Sequence, residues 1–322
     1  MSSDHRRVLV TGGQGLVGMA IQEVVKCHPQ QHMEFFFVNS KKCDLRNFQA
    51  TTELFNEIKP TDVIHLAARV GGLFANMADN LGFFEDNLAI NSNVIKNCHS
   101  HSVKNAVFCL STCVFPADAP LPITEESLHA GPPHFSNEGY AYSKRMLECL
   151  VRYYRQAYGY KNWCCIIPTN IYGPFDNYNL KDGHVIPALI HKCCIAKDEN
   201  KPFIVSGSGK PLRQFIYSED LAKIVLRLLD DPHGRPDDKA SVICCDTGCE
   251  VSIMELAERI KKAVGHPGEL VLDTTRSDGI YRKTASNARL MEIMEEFEFT
   301  PFANGIEKSV EWFIKNIEVA RK

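Results

Sequence analysis

Apolar residues in this chain fall into two alternating patterns. Short continuous runs occur at Val8–Val10, Phe35–Val38, Asp62–Leu66, Ala106–Leu110 and Trp163–Ile167. Runs of this length and composition read as strands buried on both faces. Between them, apolar residues recur three and four apart, as on one face of a helix. Such stretches run from Leu16 through Met19, Ala20 and Val24 to about Lys26, from Phe48 to Ile58, roughly from Phe74 to Ser100, and along the segment that carries Tyr140 and Lys144. Asn137 is the expected cap of that last helix. Strand and helix alternating five times predict an α/β fold with a doubly wound parallel sheet.

After about Asp176 the rhythm breaks. A helix is expected from 182–187 through Ala196, strands at Phe203–Ser206 and Arg213–Tyr217, and a turn at Gly207-Ser208-Gly209. A helix over Asp220–Leu229 follows, then a strand at Val242–Cys244 that rejoins the main sheet, then helices near Ser252–Val264 and Gly305–Ala320. The expected organisation is a first domain over 1–175, to which 214–246 returns, and a smaller C-terminal α/β lobe over 176–322 for substrate. The Asn residues at 76, 80, 87, 91, 93 and 97 are poor helix formers, so some should bond neighbouring loops.

Composition narrows the function. With 322 residues and ordinary apolar content, the chain supplies a large core. A net charge of −3 shows no bias toward nucleic acid or an anionic membrane. No apolar run has the length of a membrane span, and Met1 to Val10 lacks the long apolar stretch of a signal peptide. Thirteen cysteines, with no C-x-x-C, are neither a disulfide framework nor a metal-ligand pattern, so no metal site is expected. Their placement in apolar runs implies a reducing, cytoplasmic setting.

The first strand runs into Thr11-Gly12-Gly13-Gln14-Gly15-Leu16-Val17-Gly18. This satisfies both G-x-G-x-x-G and G-x-x-G-x-x-G, between a strand and a helix. Glycine there permits a tight turn and close approach to a pyrophosphate lying on the helix N-terminus. Gly12 to Gly18 are therefore expected to bind a dinucleotide, which makes the fold Rossmann-type. The second strand ends in Asn39-Ser40-Lys41-Lys42 instead of an acid, which favours a 2′-phosphate and hence NADP(H). Asp44 is placed to bond the adenine edge. His65 reads as a packed strand histidine.

Tyr140 and Lys144 lie four apart, about one helical turn. A nearby ammonium is expected to lower the phenol's pKa toward the working pH. A hydroxyl from the end of the fourth strand, Ser111 or Thr112, shares the proton and holds a carbonyl oxygen. Strand alternation says only that these two point opposite ways.

The glycine turn, the strand-end hydroxyl and Tyr-x-x-x-Lys, in this order and spacing, resemble the extended short-chain dehydrogenase/reductase family over essentially the whole chain. The strings Ser111–Pro116, Pro168–Asn177, Gly183–Ile190 and Asp273–Gly279 resemble a bifunctional branch of that family. The resemblance implies epimerisation of GDP-4-dehydro-6-deoxy-D-mannose at C3 and C5, then reduction of the C4 ketone by NADPH to GDP-L-fucose. It implies Tyr140, Lys144, Ser111, Cys113 and His184 as catalytic residues. Cys113 would be the base if positive charge lowers its pKa, and His184 the acid. Lys144, Pro168, Thr169, Asn170, Ile171 and His184 are implied on the cofactor, and Lys192, Ser206, Arg213 and Asp278 on the GDP-sugar. Position 206, often Trp in the family, is Ser206 here, so a stacking contact is lost. A homodimer through the helices near 74–100 and 138–158 is also implied. Competing readings are a 4,6-dehydratase, a 4-epimerase and a non-catalytic NADP-binding protein. The absence of an acidic pair at Cys113-Val114 argues against the first, and retention of Tyr140 and Lys144 against the last.

Overall fold

The computed structural model describes residues 5–231, 240–276, 278 and 281–322. The chain begins β1 (Arg6–Thr11), α1 (Leu16–Cys27), β2 (Met33–Val38), α2 (Phe48–Ile58), β3 (Asp62–His65). It continues α3 (Leu73–Ala78), α4 (Asn80–Ser100), β4 (Asn105–Cys109), α5 (Glu138–Tyr158), β5 (Trp163–Pro168), β6 (Asn170–Tyr172). Then come α6 (Val185–Asp198), β7 (Phe203–Ser206), β8 (Leu212–Tyr217), α7 (Ser218–Asp230), β9 (Ser241–Cys244), β10 (Glu250–Ser252). The last elements are α8 (Ile253–Val264), β11 (Leu270–Asp273), α9 (Ala288–Ile293) and α10 (Phe302–Lys315).

The apolar runs pair in parallel in the order β2-β1-β3-β4-β5-β9. Strand β5, Ala106–Cys109 of β4 and Val63-Ile64 of β3 are continuous apolar runs because helices cover both faces. Leu54 and Phe55 of α2, Val94 and Ile95 of α4, and Leu147 and Val151 of α5 close one face. Ile21 of α1 and Leu221 and Val225 of α7 close the other. A separate core of Tyr178, Ile190, Phe215, Leu256 and Phe313 builds the C-terminal lobe. Among the described residues, no helix is long and apolar enough to cross a membrane.

Four expectations are corrected. The long helix over 74–100 is two helices, because Asp79 leaves helical geometry and its carboxylate accepts the Gly82 N–H at 3.0 Å, capping α4. The Asn137 side chain makes no cap bond. The free N–H of Gly139 is satisfied instead by Asn80 Oδ1 of α4 at 3.2 Å. A Cβ on Gly139 would overlap the Asn80 carbonyl, so glycine lets the start of α5 rest backbone to backbone on α4. That contact fixes where Tyr140 begins its turn.

The segment 214–246 returns only in part. Helix α7 and β9 join the main sheet, whereas β8 pairs with β6 and β10 in a small sheet. The fourth correction is that the chain also comes back later. Ser286 N–H donates to Ile123 O at 2.9 Å, and Leu290 of α9 is buried under the main sheet. The asparagines do bond loops. Asn87 takes the Arg69 N–H at 2.8 Å and donates to the Arg69 carbonyl at 2.9 Å. Asn76 donates to Gly71 and Gly72, and Asn93 to Leu45 and Arg46. Together they pin the loops after β2 and β3 to the α3–α4 layer.

Candidate active site

The strand order reverses between β1 and β3, and ligands of open α/β sheets bind at such a switch, beyond the carboxyl ends of the strands. The glycine turn sits there. Gly12 has φ +71°, and a Cβ on it would press on the Ala67 backbone at 2.8 Å. A Cβ on Gly18 would meet the Gly12 carbonyl oxygen at 2.6 Å. Gly15 caps α1 without a side-chain bond, and the first turn of α1 has no acid. The N–H groups at this helix end are thus open to an anion. Gln14 is exposed at the tip, Leu16 half-buried, and Val17 packs into the core. Thr169, just past β5, is buried with no partner for Oγ1. These features fit a bound dinucleotide.

The adenosine end differs from the sequence reading. Asn39 Oδ1 accepts the Lys41 and Lys42 N–H groups at 3.0 and 3.1 Å, closing the turn after β2. Lys42 Nζ is held by Glu57 at 2.9 Å, so Lys41 is the exposed cation left for a 2′-phosphate. Asp44 does not offer a free carboxylate to adenine. Arg46 binds it at 2.9–3.3 Å and holds it below the usual carboxylate range.

The reactive groups gather beyond β4. Lys144 is buried, and its Nζ donates to Cys109 O at 2.7 Å, with the Tyr140 ring centroid 5.8 Å away. Ser111 caps the short helical turn Thr112–Val114, accepting the Cys113 N–H at 3.4 Å, and its hydroxyl also reaches the Cys113 thiol. Thr112 is half-buried on the same turn.

Burial opposes the pKa expectation at Tyr140 and the condition placed on Cys113. Tyr140 is not lowered. Burial pushes its phenol well above its ordinary value, and Cys113 and Cys109 push the same way. Cys113 is not lowered either. Burial raises it, although the Ser111 hydroxyl and the Lys283 and Lys144 ammoniums pull the other way. His184 caps α6 by backbone alone, so its ring is not a helix cap, and it makes no hydrogen bond among the described residues. The ring keeps an exposed edge, yet the protein packed around it lowers its pKa. Neutral imidazole, protonated thiol and protonated phenol are therefore the resting forms at neutral pH.

His65 sits under this site, as a packed histidine with a defined role in the packing. Asn91 Nδ2 donates to the Ser143 carbonyl at 3.3 Å, so Asn91 Oδ1 accepts from His65 Nε2–H at 3.0 Å. His65 Nδ1 then accepts from the Thr11 hydroxyl at 2.8 Å, and that hydroxyl accepts the Ala67 N–H at 3.3 Å. Burial, with Lys144 nearby, holds His65 down to about 3, so it stays neutral. The glycine-turn strand is thereby tied to the helix that carries Tyr140 and Lys144.

Of the later positions, Arg213 is half-buried, its guanidinium donates to Leu212 O at 2.7 Å, and its pKa is lowered by burial. Lys192 is half-buried with no bond among the described residues, and Ser206 is exposed on β7. Asp278 accepts Ser208 N–H and Oγ–H at 2.9 and 2.6 Å, bracing the glycine turn that it faces. Ser277 and Gly279 of its string lie outside the described residues. Pro168 pairs with Cys244, Asn170 donates to Gln214 O at 2.9 Å, and Ile171 packs in the core. Lys283 and Arg145, both close to Cys113, were not singled out from the sequence. The signal for Arg145 was present: it lies with Ala141, Lys144 and Glu148 on the buried stripe of α5, where a cation needs a reason.

A phosphate-binding turn at the switch point, with a tyrosine, a lysine and a hydroxyl beyond the fourth strand, defines a nicotinamide-dependent enzyme of carbonyl chemistry. The profile of the NAD dependent epimerase/dehydratase family matches residues 8–244, and the chain belongs to that family. It is 48% identical to the GDP-L-fucose synthase of Dictyostelium discoideum, covering 100% of this chain and 99% of that protein. It is 45% identical to the probable GDP-L-fucose synthase of Drosophila melanogaster, covering 98% and 100%. The crystal structure of a GDP-L-fucose synthetase from Naegleria fowleri bound to NADP superposes with a TM-score of 0.93 at 43% identity, covering 99% and 96%.

Proposed function

We infer that this chain is a bifunctional enzyme that epimerises GDP-4-dehydro-6-deoxy-D-mannose at C3 and C5 and reduces C4 to give GDP-L-fucose. The observation that carries this reading is the convergence of Ser111, Cys113, Tyr140 and Lys144 on one turn beyond β4, beside a turn built for a dinucleotide. The Dictyostelium and Drosophila relatives bear the name of this activity over their full length, and the Naegleria structure holds NADP.

The residues are suited to the chemistry. C3 and C5 flank the ketone, so their protons become acidic when the developing C4 oxyanion is stabilised. Ser111 and the protonated Tyr140 donate to that oxygen. Cys113, as thiolate, takes the proton from one face of the ring, and His184 returns one from the other. Gly12 to Gly18, Lys41, Thr169 and Lys144 hold the cofactor. Bound NADPH supplies the hydride for C4. Tyr140 then protonates the alkoxide, and Lys144 keeps the phenol oriented. Lys192 and Arg213 face the GDP phosphates, and Asp278 supports that wall through Ser208.

Incubation of the full chain with GDP-4-dehydro-6-deoxy-D-mannose and NADPH is expected to consume nicotinamide absorbance with formation of GDP-L-fucose. Absence of oxidation, with NADPH binding demonstrated, refutes the reading. The same reading includes a homodimer through α4 and α5, which pack together and leave Leu81, Tyr153 and Tyr158 exposed. Sedimentation should give twice the 36.2 kDa chain mass, and a monomer at micromolar concentration excludes it.

A further inference from the structure

Arg145 is buried, and among the described residues no Asp or Glu pairs with it. Its Nε donates to the Val114 carbonyl at 2.5 Å, which pins the guanidinium to the turn that carries Cys113. The residue is 5% exposed, and Nη2 has no hydrogen-bond partner. Its guanidinium carbon stands 5.6 Å from the Tyr142 ring centroid. A buried, incompletely bonded cation is costly unless it serves a charge that forms later.

We propose that Arg145 is a positioning residue for Cys113: it fixes the Thr112–Val114 turn through Val114 and holds a permanent positive charge beside the thiol, favouring the thiolate during proton exchange at C3 and C5. This rests on the function proposed above. The groups that face Cys113 are Ser111 on its own turn, Tyr140 and Lys144 from α5, and Lys283 from the segment before α9. Lys144 is tied to the Cys109 carbonyl. Lys283 has its pKa lowered by burial, so its charge is conditional. Arginine does not titrate in the working range, and Arg145 alone among these cations is bonded to the turn itself. Tyr142 and Cys113 favour charged Arg145 against the burial that opposes it, which puts the guanidinium within electrostatic reach of the thiol, while the cations that act most on the thiol itself are Lys283 and Lys144.

The test separates charge from hydrogen bonding. The full chain, as Arg145→Gln and as Arg145→Lys, is alkylated with iodoacetamide between about pH 6 and 10, and the Cys113 peptide is followed by mass spectrometry. Gln keeps a donor for Val114 but no charge. Its alkylation midpoint is expected to rise by about one pH unit, slowing reaction at neutral pH about tenfold. The Lys variant, whose buried ammonium is itself subject to burial as at Lys283, should shift no further than Gln. A folded Gln variant whose profile superposes on wild type overturns the proposal, and so does a folded Lys variant that shifts further upward than Gln. Because alkylation needs no turnover, failure of the proposed activity is read separately. In that case the profile shift persists while Cys113→Ser still exchanges substrate protons with solvent.

Discussion

Tyr140→Phe is expected to lower NADPH consumption by about 10²–10⁴-fold while NADPH affinity stays within about twofold, as loss of a positioned general acid does. Reduction turns a ketone into an alkoxide whose proton must come from a group that still holds one at neutral pH. Burial places Tyr140 in that state, well above its ordinary pKa. Ser111 can donate to the same oxygen, but its hydroxyl is already drawn toward Cys113. Proton exchange at C3 and C5 should also slow, though less, because one of two donors to the enolate oxygen remains. Stopped-flow nicotinamide absorbance and cofactor titration measure the two quantities. A Phe variant that keeps more than about a tenth of wild-type turnover removes Tyr140 from the acid role.

Cys113→Ser should abolish incorporation of solvent deuterium at C3 and C5 with NADPH binding intact. A serine hydroxyl is too weak an acid to supply a base near neutrality. The same variant should still reduce a ketone that already has the product configuration, since that step uses Tyr140. Unchanged deuterium exchange in the mutant sinks the assignment. The pH profile of the wild type carries a second check. The base is needed as thiolate and the acid as imidazolium, yet Cys113 is raised and His184 lowered. Exchange should then fall below the His184 pKa, where the thiolate fraction drops tenfold per unit, and fall again above the Cys113 pKa, where the imidazolium fraction drops. Between the two it should be flat, at a height set by their separation. A profile that falls steadily across neutrality, with no plateau, contradicts this pair.

Chemistry that depends on backbone conformation was legible from the residues. Gly12, Gly15 and Gly18 announce a turn because a Cβ at Gly12 would press on the Ala67 backbone and one at Gly18 on the Gly12 carbonyl. The apolar runs announce strands because helices bury them on both sides. The strings around Ser111, Pro168 and Gly183 carried the family and, with it, the reaction.

Electrostatic state was not legible. The rule that an ammonium lowers a neighbouring phenol is sound, but at Tyr140 burial outweighs it, and burial belongs to the whole fold. Which lysine after β2 is free depends on Glu57, fifteen residues on, and the availability of Asp44 depends on Arg46 turning back on it.

By itself, then, the sequence determined the sheet, the dinucleotide turn and the kind of chemistry, because each is written in local spacing. Only the tertiary structure decided the protonation of Tyr140, Cys113 and His184, the relay from Thr11 through His65 and Asn91 to Ser143, and the burial of Arg145 beside Cys113. Charges and hydrogen bonds of that kind join residues distant along the chain, and their strength is set by how much water the packed fold excludes.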